Sequence, residues 1–136
     1  MSGERRNAVP ARAITTHRSG NILNDALIIH ATGEPGPGGA CLAYTIRATD
    51  PPTGPLPRDI YTRLEFQNGN PAEKINGISN EALLAIVADR LEGFQSGPFV
   101  CLDNEAALEH VKCALKALSY RTQERIERGV EGTLTV

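Results

Sequence analysis

Two hydrophobic stripes at helical spacing dominate the second half of the chain. In the first stripe, apolar positions recur every three or four residues, which places them on one side of an α-helix. Ser79 can accept a hydrogen bond from a free amide of the first turn, and Glu81 favours the positive end of the helix. We therefore predict a helix that begins near Ser79 and ends before Gly97-Pro98. Its predicted inner positions are Leu83, Leu84, Ile86, Val87, Leu91 and Phe94.

The second stripe predicts a longer helix. It begins near Asp103 or Asn104 and extends to Arg128, where Gly129 supplies the left-handed residue that commonly ends a helix. The short connection between the stripes allows two antiparallel helices to bury their apolar sides against each other. The sequence thus predicts a helical hairpin over residues 76–136. The predicted seam of its second helix is Leu108, Val111, Leu115 and Leu118.

The first half has shorter apolar runs, rich in β-branched residues, separated by glycine and proline. Runs of this kind are typical of strands, and a Gly/Pro-rich segment between two of them predicts a hairpin turn. Residues 1–20 are polar and predict a mobile arm or a weak edge strand. The predicted runs are residues 26–31, 41–47 and 60–66, with a turn at 33–39 and a proline-rich connector at 51–57.

These patterns predict an α+β fold in a single domain, 1–136. A small N-terminal antiparallel β-sheet occupies residues 21–75, and the two-helix hairpin follows. The predicted core is modest, since the chain has three Phe, three Tyr and no Trp. Because the seam of the second helix is longer than the first helix can cover, we predict that copies of the chain associate as a homo-oligomer.

The composition disfavours membrane proteins, exported proteins and general nucleic-acid-binding proteins. The sequence has no apolar run of the roughly 20 residues that a membrane helix needs, and no signal-peptide pattern. The odd set Cys41, Cys101 and Cys113 favours reduced thiols and therefore a cytoplasmic location. The formal net charge of −2 disfavours general nucleic-acid binding, which needs a basic excess. We predict a cytoplasmic protein with neither membrane nor nucleic acid as a partner.

An arginine-rich face continues the seam of the second helix. Beyond Leu118 the register reaches Thr122 and Arg125, while Arg121 and Arg128 lie on adjoining rows. At least Arg125 should therefore point inward or toward a partner chain. Because an unpaired buried charge is costly, this guanidinium needs an acceptor.

Two interpretations of this face remain open. In one, Glu124 and Glu127, or acidic groups elsewhere, form an ordinary surface or interface ion pair with Arg125. In the other, the arginines bind phosphate, whose oxygens match the guanidinium fork. Phe94 and Asn104 favour the second interpretation, since a ring can stack on a base and an amide can hydrogen-bond its edge. Each also has a structural alternative, Phe94 as a core residue and Asn104 as a helix cap.

Other patterns of chemical interest are weak. The three histidines are scattered, and His110 with Cys113 offers two metal ligands where a zinc site needs more. The glycine-rich stretch 33–39 lacks the order of a phosphate-binding loop, and no nucleophile motif is visible. We therefore predict a protein that is not an enzyme and has neither a metal nor a cofactor.

Taken together, several segments from Phe66 onward resemble the viral Thoeris anti-defence proteins, which are related through their hairpin to the anti-CBASS cyclic-nucleotide sponges. The resemblance covers about half of the chain. It departs from the family pattern at Leu102-Asp103, where a charged pair is expected, and at Asn70, where a proline is expected. The segments that carry it are Phe66-Gln-Asn-Gly69, the run from Asn76 to Leu91, Phe94-Gln-Ser-Gly-Pro-Phe99, Asn104, and the run from Arg121 to Thr133.

The resemblance implies a role for individual residues. Phe94 would stack on adenine, Asn104 would hydrogen-bond the ligand, and Arg121 with Arg125 would hold a pyrophosphate. The residues after the second helix would serve assembly or a second pocket. These are Arg128, Gly129, Glu131, Gly132 and Thr133.

The resemblance also implies the function. Members are non-enzymatic sponges that enclose a cyclised ADP-ribose immune signal, and some take up cyclic di- or trinucleotides at other sites of a hexamer. We therefore expect such a sponge, a dimer-based oligomer, in the host cell cytoplasm. The alternative hypothesis is a helical module that binds nucleic acid through the face of Arg121, Arg125 and Arg128.

Overall fold

A computed structural model describes residues 11–48 and 61–133, in which a β-sheet precedes a pair of long helices. The predicted α+β fold is confirmed. The chain divides into two compact units, Met1–Asn68 and Gly69–Val136, so the single domain stays a prediction. The predicted connector at 51–57 lies outside the described residues. Within the described ranges, every helix is too short or too polar to cross a bilayer.

The N-terminal unit is a four-stranded antiparallel sheet in the order β1-β2-β3-β4. The predicted hairpin is confirmed, and its turn closes where the Gly36 amide donates to the Ala40 carbonyl at 2.8 Å. Gly39 has a φ of 94°, a conformation that favours glycine. The edge strand predicted within residues 1–20 is confirmed at β1, whereas residues 1–10 lie outside the described part. The strands are β1 (Arg12–Ile14), β2 (Leu27–Pro35), β3 (Cys41–Ala48) and β4 (Tyr61–Glu65).

One side of this sheet is apolar. Residues directly opposite each other on neighbouring strands lie on the same face, so the paired residues identify that side. Ile29 pairs with Ile46 in the central hairpin, and Tyr44 pairs with Leu64 on the next strand. The Tyr44 ring also meets Phe66 edge to face, with 5.6 Å between the ring centroids. The sheet thus provides an aromatic contact just beyond the end of β4.

A short helix, α1 (Ile22–Ala26), precedes β2 and was missing from the sequence prediction. Asn21 caps it, since its side-chain oxygen accepts a hydrogen bond from the Asn24 amide at 2.9 Å. A helix of five residues is too short to display hydrophobic periodicity. The cap-forming Asn21 was therefore the one local signal available.

The C-terminal unit contains the predicted helical hairpin, formed by α2 (Asn80–Gln95) and α3 (Leu102–Glu127). The Ser79 hydroxyl accepts a hydrogen bond from the Ala82 amide at 3.1 Å, which confirms the predicted cap of α2. At the end of α3, the Arg128 amide donates to the Glu124 carbonyl, and Gly129 follows with a φ of 72°. Both helices therefore end where the turn chemistry predicted.

The packing between the helices confirms the predicted seam of α3 and corrects that of α2. Leu108 is buried, and the seam positions after it are half-buried as far as Arg125. On α2, however, the residues that pack inward are Leu84, Ala88, Leu91 and Gln95. The prediction that Ile86, Val87 and Phe94 face the core is wrong, since they are 57%, 44% and 39% exposed. Apolar residues lie on two adjacent sides of α2, and the contact with α3 covers only one of them.

Candidate functional site

The connection between the helices, residues 94–104, forms what we call the loop end of the hairpin. Phe94 lies at its start; the residue is 39% exposed, and the Arg90 guanidinium carbon lies 5.6 Å from the centroid of its ring. This distance is typical of a cation–π contact. The alternative that Phe94 is a core residue is therefore wrong, and its ring is accessible at the surface of the isolated chain.

Asn104 lies in the first turn of α3, and the alternative that it caps the helix is also wrong. Cys101 is the cap, because its sulfur accepts a hydrogen bond from the Asn104 amide at 3.4 Å. Asn104 itself is half-buried, at the start of the seam that continues through Leu108. The cap thus leaves the Asn104 side chain free of that role.

Gln95, which the sequence prediction passed over, connects the two helices at this end. Its side-chain nitrogen donates to the Cys101 carbonyl at 3.1 Å, and its side-chain oxygen accepts from the Cys101 amide at 3.2 Å. Both polar atoms of the side chain therefore bind the backbone of one residue. A polar residue at an inner helix position, just before Gly97-Pro98, was the signal that could have identified it.

The other end of the hairpin, which we call the open end, comprises residues 118–133 and the turn at residues 69–74. Arg125 is half-buried there, and one of its terminal nitrogens, Nη2, donates to the carbonyls of Val130 and Thr133, each at 2.9 Å. Glu124, one of the two residues named as its ion-pair partner, instead binds Arg128 at 3.1 Å. Backbone carbonyls thus serve as acceptors that the sequence pattern did not indicate.

The segment after α3 folds into a tight turn against the start of the same unit. The Val130 amide donates to the Arg125 carbonyl at 3.0 Å, and Val130 in turn accepts from the Thr133 amide. Gly132 has a φ of 78°, and a Cβ atom placed on it would lie 2.8 Å from the Asn70 side-chain oxygen. Asn70, one of the departures from the family pattern, therefore forms part of the surface that receives this turn.

One copy of the chain does not bring the four predicted ligand-binding residues together. Phe94 and Asn104 lie at the loop end, whereas Arg121, which is exposed, and Arg125 lie at the open end. At 1.5 Å per residue of helix, about 25 Å separates Asn104 from Arg121 and about 31 Å separates it from Arg125. The predicted face of three arginines is also divided, because Arg125 turns to the backbone and Arg128 binds Glu124.

The described residues hold no cluster of three or more His, Cys, Asp or Glu side chains arranged to bind a metal ion. His17, one of the scattered histidines, lies beside the backbone, with its Nε2 atom 2.7 Å from the Leu27 carbonyl oxygen.

Comparison with known proteins identifies a family that the hairpin region resembles. Residues 59–123 match the family described as "Acb2/Tad1, hairpin domain", a range that includes Phe94, Asn104 and Arg121 and ends just before Arg125. The chain is also 45% identical over 71 residues to "Thoeris anti-defense 1" of Bacillus phage SBSphiJ7. The alignment covers 52% of this chain and 50% of that relative, so the likeness spans about half of the relative's length. The predicted resemblance is thereby confirmed: residues 59–123 match the Acb2/Tad1 hairpin-domain family, and the chain is a relative of the viral Thoeris anti-defence proteins over about half of its length.

Proposed function

We propose that this protein binds and sequesters a cyclised ADP-ribose signal without converting it, and thereby blocks Thoeris antiviral defence. The relationship to a phage Thoeris anti-defence protein supports a role in evading this defence. The loop end contributes an exposed ring and a half-buried amide, which suit a base. The open end contributes guanidinium groups, which suit a pyrophosphate.

The distance between the loop end and the open end indicates how many copies of the chain form one site. Ligand pockets of roughly 300–1,000 Å³ are about 7–10 Å across, well below the separation of about 25–31 Å within one α3 helix. We infer that each site forms between copies of the chain. One copy supplies Phe94 and Asn104, and a second supplies Arg121 and Arg125.

Exposed apolar residues support such an association. Ile86 and Val87 form an uncovered strip on α2, and the loop end adds Phe99, Val100 and Leu102, which are 71%, 58% and 82% exposed. A contact between copies would remove part of this surface from water, which is favourable in proportion to the apolar area covered. A dimer-based oligomer, with a hexamer as the expected assembly, follows from the family resemblance.

The proposed role sets a demanding affinity. A protein that starves a sensor of its signal must bind at nanomolar level, about −12 kcal/mol for a small ligand. Such binding requires a preorganised and largely enclosed site. A site between copies encloses a ligand from both sides, which neither end of one hairpin does alone.

The direct test is recovery of the ligand. The protein is incubated with cyclic ADP-ribose isomers, freed of unbound molecules and heat-denatured, and the released material is identified by mass spectrometry. We expect the signal molecule to be released unchanged and in stoichiometric amount. Release of a hydrolysed product would identify an enzyme and would contradict the proposal.

A complementation experiment tests whether the site lies between copies. Phe94→Ala and Arg121→Ala should each abolish retention, while Ile75→Ala and Lys116→Ala, at exposed positions of the same unit, should retain the ligand. Mixed oligomers of the two defective variants should regain part of the binding, because some sites then combine an intact Phe94 with an intact Arg121. Mixed oligomers without any recovered binding would contradict a shared site.

The segment from Arg128 to Thr133 remains a proposed second pocket for cyclic di- or trinucleotides, or an assembly contact. Calorimetry with a panel of these ligands, on a protein already saturated with cyclic ADP-ribose, distinguishes the two roles.

The nucleic-acid alternative predicts binding that falls steeply with salt. It is the less favoured function, because the formal net charge of −2 does not provide the basic excess that nucleic-acid binding needs.

A further inference from the structure

The loop end contains a polar contact that connects the two proposed base-reading residues without involving either side chain. Gln95 follows Phe94 directly on α2, and its amide binds both backbone polar groups of Cys101. Cys101 in turn caps α3 and accepts the hydrogen bond of the Asn104 amide. A continuous chain of short contacts therefore runs from Phe94 through Gln95 and Cys101 to Asn104.

The Cys101 carbonyl explains why this contact determines the position of α3. It accepts a hydrogen bond from the Glu105 amide at 3.1 Å, the first helical bond after the cap, and it also accepts from the Gln95 side chain. Gln95 thus binds the backbone of the residue that caps this helix. Displacement of Cys101 would shift Asn104, which lies in the turn that this residue initiates.

The burial of Gln95 agrees with a dedicated role. It is half-buried at the inner position that follows Leu84, Ala88 and Leu91 on α2, where an apolar side chain would be the ordinary choice. A polar side chain at such a position lowers stability unless its hydrogen bonds are satisfied. Both of its polar atoms are satisfied here by one residue of the loop.

We propose that Gln95 is a positioning residue for the ligand site: it sets the separation between the Phe94 ring and the Asn104 amide without touching the ligand. The inference rests on the proposed function. Residues that hold contact groups in their bound geometry reduce the ordering cost of binding, so loss of Gln95 should weaken binding. We expect this loss of preorganisation to weaken binding on the order of tenfold, about 1.4 kcal/mol.

The test uses Gln95→Met, which keeps the length and helix propensity of the side chain but removes both hydrogen bonds. Gln123→Met, at an exposed position of α3, is the matched control. We expect cyclic ADP-ribose to dissociate about tenfold faster from the full-length Gln95→Met oligomer, with assembly unchanged by light scattering. Hydrogen exchange of the Cys101 amide should also accelerate, which reports the released contact in the absence of ligand.

A double-mutant cycle separates positioning from a general loss of structure. If Gln95 acts by holding the Phe94 ring in place, Phe94→Ala should weaken binding by a smaller factor in the Gln95→Met background than in the wild type. Because Phe94→Ala is expected to remove binding almost completely, the cycle is measured with the conservative Phe94→Leu, which keeps the dissociation constants measurable. Equal factors in the two backgrounds would overturn the inference, as would a Gln95→Met variant with wild-type dissociation.

The outcomes for the inference and for the proposed function are distinguishable. If the wild-type protein retains no cyclic ADP-ribose, the proposed function fails irrespective of Gln95. If the wild type retains it and Gln95→Met retains it equally well, only the positioning role fails. Should Gln95→Met not fold, Gln95→Glu replaces it, because it preserves the acceptor for the Cys101 amide and removes only the donor.

Discussion

At each end of the helical hairpin, one side chain binds two backbone groups. The two ends differ in whether that side chain is also proposed to bind the ligand. At the loop end, Gln95 binds the backbone of Cys101 with both polar atoms, and neighbouring side chains are left for a ligand. At the open end, Arg125 binds two carbonyls through one nitrogen and also carries the charge proposed to bind phosphate. A substitution of Gln95 thus removes a structural contact without removing a group that binds the ligand. A substitution of Arg125 removes both at once.

The largest expected effect comes from Leu108, which lies between the two ends and is 8% exposed. Leu108→Ala should lower the free energy of unfolding by about 2–5 kcal/mol, the usual cost of such a truncation in a core. Leu102→Ala, on the same helix but 82% exposed, should change it by about 0.5 kcal/mol or less. Chemical denaturation measures both. An equal effect of the two changes would contradict the observed seam of α3.

The next largest effect comes from Arg125 at the open end, compared with its exposed neighbour Arg121. Arg125→Ala removes two charge-assisted hydrogen bonds and should lower stability by about 1–3 kcal/mol, in addition to its effect on the ligand. Arg121→Ala, at an exposed position, should impair ligand retention with little change in the melting temperature. Thermal melting of both variants without ligand gives the comparison. Equal melting temperatures would mean that the contacts of Arg125 with the C-terminal turn contribute nothing to stability.

The smallest effects compare three glycines. Gly132→Ala should lower stability most, because it combines a φ of 78° with a Cβ atom only 2.8 Å from Asn70. Gly129→Ala shares the positive φ but meets open space, so it should cost about 1–2 kcal/mol. Gly93→Ala, within α2 and also in open space, should raise stability by about 0.5–1 kcal/mol. A Gly132→Ala variant that loses no more stability than Gly129→Ala would contradict the close approach of Gly132 to the turn at residues 69–74.

Much of the hairpin could be predicted because its signals are local. The seam of α3, the cap at Ser79 and the glycine after α3 each depend on residues within a few positions of one another. The inner side of α2 could not be fixed in this way. Both the set with Val87 and Phe94 and the set with Ala88 and Gln95 satisfy the three-and-four spacing, and only the contact with α3 selects between them.

The candidate site was harder to predict because its supporting contacts involve the backbone. Gln95 and Arg125 bind main-chain groups of residues further along the chain, and no side-chain pattern identifies such acceptors. The sequence prediction considered Asn104 as the cap of α3, whereas the sulfur of Cys101 occupies that position. The separation of Asn104 from Arg121 and Arg125, by contrast, already follows from the rise of one predicted helix.

The sulfur cap has a practical consequence for experiments that attach a probe to this protein. A maleimide or spin label on Cys101 would remove the acceptor of the Asn104 amide and would disturb the region that the probe is meant to report. Cys113 is also exposed, on the middle turns of α3. A Cys101→Ser substitution, which keeps an N-capping oxygen, combined with a label at Cys113 would let fluorescence or electron spin resonance follow the assembly while α3 stays intact.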